Sequence, residues 1–227
     1  MRIGGLLPFT TIDYPGRLAA VVFCQGCPWR CDFCHNTHLL FENGEMKFTW
    51  EEVLRCLATR KGLLDAVVFS GGEPTLQEPL SAAIGEVREM GFLAGLHTAG
   101  AYPEKFEPLV PLLDWVGMDI KAPFEEYEMV TGVSGSGDKA CESANILIRS
   151  GIPCEFRTTL HPMMMEDGGN RLMRMAHGLK NMGAKHFVIQ KYHPSGEKAP
   201  SPSFPFQSVG GVIDSVSALF DSFYIRL

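Results

Sequence analysis

The chain has 227 residues, of which 45% are hydrophobic, so it is long enough to bury a full core. A formal net charge of -6 and the lack of a basic block argue against a nucleic-acid partner and against an anionic membrane surface. The first residues do not have the pattern of a cleaved leader, and no apolar run reaches membrane-spanning length. We therefore expect a cytoplasmic protein with no membrane partner.

Short apolar runs, bounded by polar residues or glycines, recur along the chain and predict buried parallel strands. Helical patterns lie between them, the clearest at Thr49, where Thr49 and Glu52 can form a capping box. This alternation predicts an α/β fold, a partial (β/α)6 TIM-like barrel with parallel strands, and an open doubly wound sheet is the alternative. The predicted strands are residues 18–23, 66–69, 92–96, 115–120, 154–160 and 187–189.

We expect a single domain over residues 1–227. Proline and serine are frequent in residues 194–209, which predicts an irregular surface segment. Residues 210–227 are expected to add a last helix and a short strand that close the domain.

Four of the seven cysteines lie between Cys24 and Cys34, and this crowding favours metal or redox chemistry over disulfides. Cys27, Cys31 and Cys34 have the spacing Cys-x3-Cys-x2-Cys. Three thiolates can hold three irons of a cubic [4Fe-4S] cluster and leave the fourth iron open to a small molecule. Cys24 can join them in a four-thiolate zinc site, but the short spacing disfavours zinc, and we expect Cys24 to be the buried end of a strand.

Polar motifs follow the ends of four predicted strands. The cysteine run follows the first, Ser-Gly-Gly-Glu-Pro at 70–74 follows the second, and His97-Thr98 and Asp119-Ile-Lys121 end the third and fourth. Ligands collect at the carboxyl ends of parallel strands, so we expect all four motifs to share one rim.

The second of these motifs has the composition of a ligand-binding turn. Gly71 and Gly72 have no side chains and allow the backbone to approach a ligand closely. The backbone carbonyl and the carboxylate at Glu73 are acceptors for an ammonium group.

The cysteine spacing, with Phe33 directly before the last cysteine, resembles that of the radical S-adenosylmethionine enzymes, and residues 70–74 resemble their second motif. The resemblance implies an oxidoreductase whose cofactors are a [4Fe-4S] cluster and S-adenosylmethionine. In such enzymes one electron from the cluster cleaves the sulfonium to a 5'-deoxyadenosyl radical. The resemblance makes Cys27, Cys31 and Cys34 the iron ligands.

The same resemblance implies cofactor contacts outside the cysteines. Phe33 fits the adenine contact, and Asp119 and Lys121 match an Asp-x-Lys sequence of the glycyl-radical activating branch. Arg157 has a guanidinium suited to a ligand carboxylate, and a structural ion pair is the alternative. The expected cofactor-binding residues are Phe33, His35, Gly71, Gly72, Glu73, Asp119, Lys121, Arg157 and His193.

The stretch from Thr11 to Pro194 resembles the activating proteins of anaerobic ribonucleoside-triphosphate reductases, most specifically in Ile-Asp-Tyr-Pro-Gly at 12–16. Such proteins use the radical to remove a hydrogen atom from a glycine of a partner enzyme. The resemblance therefore implies a glycyl-radical enzyme as partner and a low-potential electron donor such as flavodoxin or ferredoxin. His97 stands where related activases have an aspartate, which puts a monovalent cation site in doubt.

Two alternatives remain open from the sequence. A small-molecule radical enzyme such as 7-carboxy-7-deazaguanine synthase has similar motifs, although that family has threonine where this chain has His35. A non-catalytic zinc or iron-sulfur module is an alternative of a different class.

Overall fold

The computed structural model describes residues 1–192 and 210–226. They form one eight-stranded sheet whose strands lie side by side in chain order. The strands are β1 (Ile3–Thr10), β2 (Ala19–Cys24), β3 (Ala66–Gly71), β4 (Leu93–Thr98), β5 (Trp115–Asp119), β6 (Cys154–Leu160), β7 (His186–Lys191) and β8 (Ser222–Arg226).

Helices connect most of the strands and cover the outside of the sheet. None of them, within the part of the chain that the structure describes, is long and apolar enough to cross a membrane. The α-helices are α1 (Trp50–Ala58), α2 (Leu80–Glu89), α3 (Pro103–Phe106), α4 (Tyr127–Thr131), α5 (Ser136–Ser150), α6 (Asn170–Met182) and α7 (Gly210–Ser217).

The order of the strands identifies the architecture. Each strand from β2 to β7 pairs in parallel with the next, and β1 pairs antiparallel with β2. A doubly wound sheet reverses its strand order at a switch point, and this sheet does not reverse. The predicted partial TIM-like barrel is therefore confirmed. Among the described residues β1 and β8 are the two edges and do not pair, so the barrel is open between them.

The six predicted strands are all present, with ends that differ by at most two residues, and the expected last helix and strand appear as α7 and β8. The prediction missed β1, which is antiparallel to its neighbour, unlike the other strands of the described residues. Its sequence contains Gly4, Gly5 and Pro8, residues that are unfavourable in strands. Proline is tolerated there because β1 is an edge strand. The irregular segment predicted at 194–209 lies outside the described residues.

Local sequence signals fix the ends of several helices. The predicted capping box of α1 is confirmed: the Glu52 amide donates to Thr49 Oγ1 at 3.2 Å, and the Thr49 amide donates to Glu52 Oε2 at 2.8 Å. Helices α5 and α6 end at Gly151 and Gly183, whose φ angles are +69° and +104°. These glycines turn the chain into the next strand.

A small apolar cluster fills the barrel near the beginnings of its strands. The rings of Tyr14 and Trp115 lie 5.1 Å apart, and a Cβ on Gly95 would come within 3.1 Å of the Tyr14 ring. Tyr14 belongs to the Ile-Asp-Tyr-Pro-Gly sequence, so that sequence contributes an aromatic side chain to this apolar cluster. The opposite end, where the strands finish, is left for polar side chains. The cluster consists of Tyr14, Ala19, Val21, Ala66, Val68 and Trp115.

Candidate active site

A cavity of about 160 Å³ lies at the carboxyl ends of the parallel strands. Each of the four motifs expected at one rim contributes to its wall, so that expectation is confirmed. The cavity is lined by Cys27, Trp29, Cys31, Phe33, Cys34, His35, Asn36, Leu40, Ser70, Gly71, Gly72, His97, Thr98, Ala99, Asp119, Lys121, Thr159 and Gln190.

Backbone hydrogen bonds hold the loop that carries the three cysteines. The amide of Cys27 donates to the carbonyl of Leu40 at 3.0 Å, and the amide of Cys34 donates to the carbonyl of Cys31 at 3.1 Å. All three thiols of this loop line the cavity. Cys24, in contrast, is the last residue of β2, is fully buried and does not line the cavity. The prediction that Cys24 is a buried strand end is confirmed.

The three thiols form a donor set suited to an iron-sulfur cluster, because a cubic cluster can take one cysteine on each of three irons. Within residues 1–192 and 210–226, no three His, Cys, Asp or Glu side chains converge as the ligands of a single ion do. Burial raises the pKa of Cys27 to about 12 and also raises the pKa of Cys31, which disfavours their thiolate forms in the metal-free protein. Iron binds thiolates, so iron binding must displace the protons of these two residues.

Gly71 and Gly72 are required by the contact between two loops. The Gly72 amide donates to the Cys24 carbonyl at 2.9 Å. A Cβ on Gly72 would lie 2.1 Å from the carbonyl oxygen of Gly26, and a Cβ on Gly71 would lie 2.4 Å from the Cys24 nitrogen. Gly71 also has a φ of +114°, which disfavours other residues. The glycines therefore bring their backbone directly against the cysteine loop and beside the cavity.

Glu73 is buried and is not among the residues that line the cavity. Its carboxylate accepts hydrogen bonds from the hydroxyls of Thr75 and Thr98, at 2.7 and 2.8 Å, and from the amide of Ala99 at 2.9 Å. The side chain is fully buried, and burial raises the pKa of Glu73 even though these hydrogen bonds oppose the shift. The carboxylate ties the turn after β3 to the loop after β4, and this placement does not support its expected contact with a cofactor.

Asp119 faces the cavity and is held by two cations. Arg157 Nε donates to Asp119 Oδ1 at 2.8 Å, and Lys121 Nζ lies 3.9 Å from Asp119 Oδ2. Burial alone raises the pKa of Asp119, but Arg157 and Lys121 outweigh it and hold that pKa below its usual value. A Cβ on Gly117 would lie 2.8 Å from Arg157 Nη1, so Gly117 leaves room for the guanidinium. The ion-pair alternative for Arg157 is the arrangement observed.

Lys121 places a positive charge beside the thiols. Its Nζ lies 5.9 Å from the centre of the Phe33 ring, and its side chain is largely buried. Burial lowers the pKa of Lys121, but negative charge on the Cys31 sulfur and on Asp119 outweighs burial and raises that pKa. The ammonium therefore stays charged in a position where it can offset negative charge on bound thiolates.

Four aromatic rings join the cysteine loop to the ends of β6 and β7. Phe33 stacks on His161 with ring centres 5.0 Å apart, and His161 meets the edge of Tyr192 at 4.9 Å. Tyr192 also stacks on His35 at 6.0 Å. Sequence reasoning missed His161, although the residue directly follows β6 and the rule of carboxyl strand ends would have found it. The expected contact His193 lies outside the described residues.

His97 is a neutral imidazole that connects two loops. Its Nε2 lies 2.8 Å from the Asp13 carbonyl oxygen, and its Nδ1 lies 3.2 Å from Ser70 Oγ. A carbonyl only accepts, so Nε2 carries the proton and Nδ1 accepts from the Ser70 hydroxyl. Burial, aided by the charge of Arg157, lowers the pKa of His97 to about 3. The residue adds no negative charge for a cation, in keeping with the expected doubt about a cation site.

The matching family model is described as the Radical SAM superfamily and covers residues 21–176. The chain belongs to the Radical SAM superfamily. The match includes the cysteine loop, the Gly71-Gly72 turn and the Asp119–Arg157 pair. The cofactors of this superfamily are a [4Fe-4S] cluster and S-adenosylmethionine, so the expectation of these two cofactors is confirmed.

Curated relatives place this Radical SAM protein in one branch. Protein MJ1227 of Methanocaldococcus jannaschii, whose name assigns it provisionally to the glycyl-radical enzyme activating enzymes, is 32% identical over 172 residues, 73% of this chain and 70% of that protein. The pyruvate formate-lyase-activating enzyme of Streptococcus mutans is 32% identical over 205 residues, 83% of this chain and 76% of that enzyme. The chain is therefore an enzyme of the glycyl-radical activating branch.

Solved structures of low identity share the fold. SuiB of Streptococcus suis, whose structure contains S-adenosylmethionine, matches with a TM-score of 0.71 at 12% identity. The match covers 91% of this Radical SAM chain and 49% of the SuiB chain, so this chain spans about half of SuiB. At that identity the likeness concerns the partial barrel alone.

Proposed function

We propose that this enzyme activates an anaerobic ribonucleoside-triphosphate reductase by removing one hydrogen atom from a glycine of the reductase. The observation that carries the proposal is the convergence of three thiols, the Gly71-Gly72 backbone and the Asp119–Lys121 pair around one cavity. The choice of partner rests on the resemblance of residues 12–16 to the activating proteins of such reductases.

The cavity offers each cofactor a suitable set of groups. Cys27, Cys31 and Cys34 would each hold one iron, and Lys121 would offset the negative charge of the thiolates. When bound, the cluster and S-adenosylmethionine supply the one-electron cleavage that yields the 5'-deoxyadenosyl radical. We propose that backbone carbonyls of the Gly71-Gly72 turn, which lines the cavity, accept hydrogen bonds from the ammonium group of the methionine portion.

The remaining expected residues divide into contacts and positioning residues. We propose that Phe33, His35 and Asp119 contact S-adenosylmethionine from the cavity wall. Arg157 positions Asp119 through their ion pair, and Glu73 positions the glycine turn through its hydrogen bonds. For His193 the proposal of a cofactor contact rests on the resemblance of Tyr192-His193 to related activases.

A second cavity supports the entry of a protein loop. It has a volume of about 230 Å³ and shares His35, Thr159 and Gln190 with the cofactor cavity. Ile12 and Arg226 also line it, so it reaches the open side of the barrel between β1 and β8. We propose that the glycine of the partner enters here, where the walls hold it near the reacting carbon and exclude water.

The reaction needs one electron for each cleavage. We propose that a low-potential protein such as flavodoxin or ferredoxin supplies it. None of the seven cysteines, all of which lie in the described residues, forms a disulfide, in line with a reducing compartment, and we propose a cytoplasmic location.

The test is a pair of anaerobic activations. The reconstituted enzyme, dithionite and S-adenosylmethionine are mixed with an anaerobic ribonucleoside-triphosphate reductase or, in a parallel sample, with a pyruvate formate-lyase. Electron paramagnetic resonance records the protein radical, and 5'-deoxyadenosine is quantified. We expect a glycyl doublet on the reductase and none on the lyase.

Each other outcome has a defined meaning. A doublet on the lyase alone would contradict the choice of partner and would favour pyruvate formate-lyase, in line with the Streptococcus mutans relative. Formation of 5'-deoxyadenosine without any protein radical would contradict activation of both partners and would point to a small-molecule substrate.

A further inference from the structure

The outer side of the cysteine loop carries an exposed arginine and an exposed phenylalanine that the site described above does not use. Arg30 is exposed, and 60% of Phe41 is exposed. The carbon at the centre of the Arg30 guanidinium lies 5.3 Å from the centre of the Phe41 ring, within the range of a cation–π contact. Neither residue lines the cofactor cavity.

The guanidinium is held in place although it is exposed. Arg30 Nη1 donates to the carbonyl of Cys27 at 2.6 Å and to the carbonyl of Trp29 at 2.9 Å. An exposed arginine normally loses side-chain entropy when it binds a partner. The two hydrogen bonds restrict the Arg30 side chain and so reduce the entropy that it would lose on binding, while its remaining N–H groups are left for an incoming acceptor.

The peptide groups of Cys27, an expected iron ligand, form hydrogen bonds to Arg30 and to the residue before Phe41. The Cys27 carbonyl accepts from Arg30, and the Cys27 amide donates at 3.0 Å to the carbonyl of Leu40, the residue before Phe41. Cys27 and Leu40 line the cavity on the inner side of the loop. The three cysteines of the loop therefore line the cavity, whereas Arg30 and Phe41 lie outside it. Cys27 connects the two sides through its hydrogen bonds to Arg30 and Leu40.

We propose that Arg30 and Phe41 form the docking site of the electron donor, a protein that presents carboxylates around its redox group. The inference rests on the proposed function, which requires such a donor. In the transfer the donor is oxidised by one electron and the cluster is reduced from the 2+ to the 1+ state, with no bond formed or broken. Electron tunnelling decays steeply with distance, so the donor must dock close to the cysteine loop. The inner side of the loop lines the cavity where we place S-adenosylmethionine and the glycine of the partner, which leaves the outer side for the donor.

The chemistry of the pair matches this occupant. Arginine binds carboxylates through two parallel hydrogen bonds, and an arginine beside an aromatic ring is typical of binding hot spots. The loop also carries the exposed carboxylates of Asp32 and Glu42, so the attraction depends on Arg30 itself. We therefore expect a small interface centred on Arg30, whose affinity for the donor depends moderately on salt concentration.

The experiment compares two reductants on the holoenzyme. Variants Arg30→Glu and Phe41→Ser are assayed for 5'-deoxyadenosine with dithionite and, separately, with reduced flavodoxin and reduced ferredoxin. Isothermal titration calorimetry measures the Kd of each oxidised donor. We expect dithionite-driven cleavage at the wild-type rate, whereas donor-driven cleavage and affinity fall by about tenfold or more.

Matched controls come from the opposite end of the barrel. Arg149, in the last turn of α5, is exposed, and Leu63, before β3, is 63% exposed. Variant Arg149→Glu makes the same charge reversal, and Leu63→Ser likewise replaces an exposed apolar side chain by serine. Both lie far from the cysteine loop and should leave both assays unchanged. Arg30→Lys keeps the charge but loses the paired hydrogen bonds, and it should retain part of the affinity.

Three results would overturn the inference. The first is unchanged Kd and unchanged donor-driven cleavage in Arg30→Glu and Phe41→Ser. The second is an equal loss with dithionite at normal iron content, which would assign the pair to the cofactor site. The third is a wild-type enzyme that accepts electrons from neither donor protein. A wild-type enzyme inactive with dithionite as well would instead contradict the proposed function.

Discussion

The two halves of the active-site rim are built by different forces. At the ends of β2, β3 and β4, backbone contacts and neutral hydrogen bonds hold the loops, and the buried carboxylate of Glu73 receives only hydroxyl and amide donors. At the ends of β5 and β6, charges hold the side chains, and Asp119 pairs with Arg157 and Lys121. Glu73 is fully buried, whereas 35% of the Asp119 side chain is exposed.

The donors around each carboxylate decide its role. Neutral donors compensate only part of the cost of burial, so the pKa of Glu73 is raised, while two cations lower the pKa of Asp119. Glu73 is thereby fitted to fix loops, and Asp119 is fitted to present a negative charge to the cavity. The following variants test how each half of the rim is held, in decreasing order of expected effect.

The largest effect is expected from the cysteine loop. Single replacement of Cys27, Cys31 or Cys34 by alanine removes one iron ligand and should abolish cleavage of S-adenosylmethionine. Cys24→Ala, in the buried strand end, should keep a cluster and much of the activity. Iron content and 5'-deoxyadenosine yield check both statements. Full cleavage by any of the first three variants would contradict the three-ligand account.

Gly72→Ala should produce the next largest effect, because its Cβ would overlap the Gly26 carbonyl oxygen. We expect a loss of at least about 3 kcal/mol in the free energy of unfolding, together with poor cluster assembly. Gly85 lies in α2, where an added Cβ would have no atom within 4 Å, so Gly85→Ala should be neutral or stabilising. Urea unfolding of the metal-free protein compares the two, and equal stability would contradict the contact between the loops.

Asp119→Asn should destabilise the metal-free protein by about 2 kcal/mol, because it leaves Arg157 buried without its partner and solvent screens part of the original pair. The pKa of Asp119 is lower in the folded state than its ordinary value of 3.8. Its stabilising contribution is therefore complete above pH 3.8 and declines as the pH falls through the folded-state pKa. The difference between wild type and variant, measured by urea unfolding, should narrow in that acid range. A constant difference would contradict the ion pair.

Glu73→Gln should have the smallest effect, about 1 kcal/mol, because the amide keeps one acceptor oxygen and the hydroxyls of Thr75 and Thr98 can turn to accept from its NH₂ group. We expect weaker thermal stability with an unchanged affinity for S-adenosylmethionine. The exposed Glu89→Gln serves as the control. A large loss of cofactor affinity in Glu73→Gln would reassign its carboxylate to direct binding.

The shared rim was predictable from the sequence because the carboxyl ends of parallel strands lie at the same end of the barrel, even when the predicted strand bounds are inexact. The orientation of each acid was not predictable. The Glu73 carboxylate is bound by the hydroxyl of Thr98, a residue distant in sequence. Asp119 meets Arg157 because strand register makes the two residues neighbours on β5 and β6. Register and long-range hydrogen bonds arise only when the sheet forms, so local patterns do not contain them.

The central claim is the transfer of a hydrogen atom from a glycine of a partner protein. The most direct measurement supplies the enzyme with reductase labelled with α-deuterated glycine and analyses 5'-deoxyadenosine by mass spectrometry. We predict that deuterium enters 5'-deoxyadenosine in proportion to the glycyl radical formed on the reductase. Unlabelled 5'-deoxyadenosine, formed while the radical accumulates, would contradict the claim.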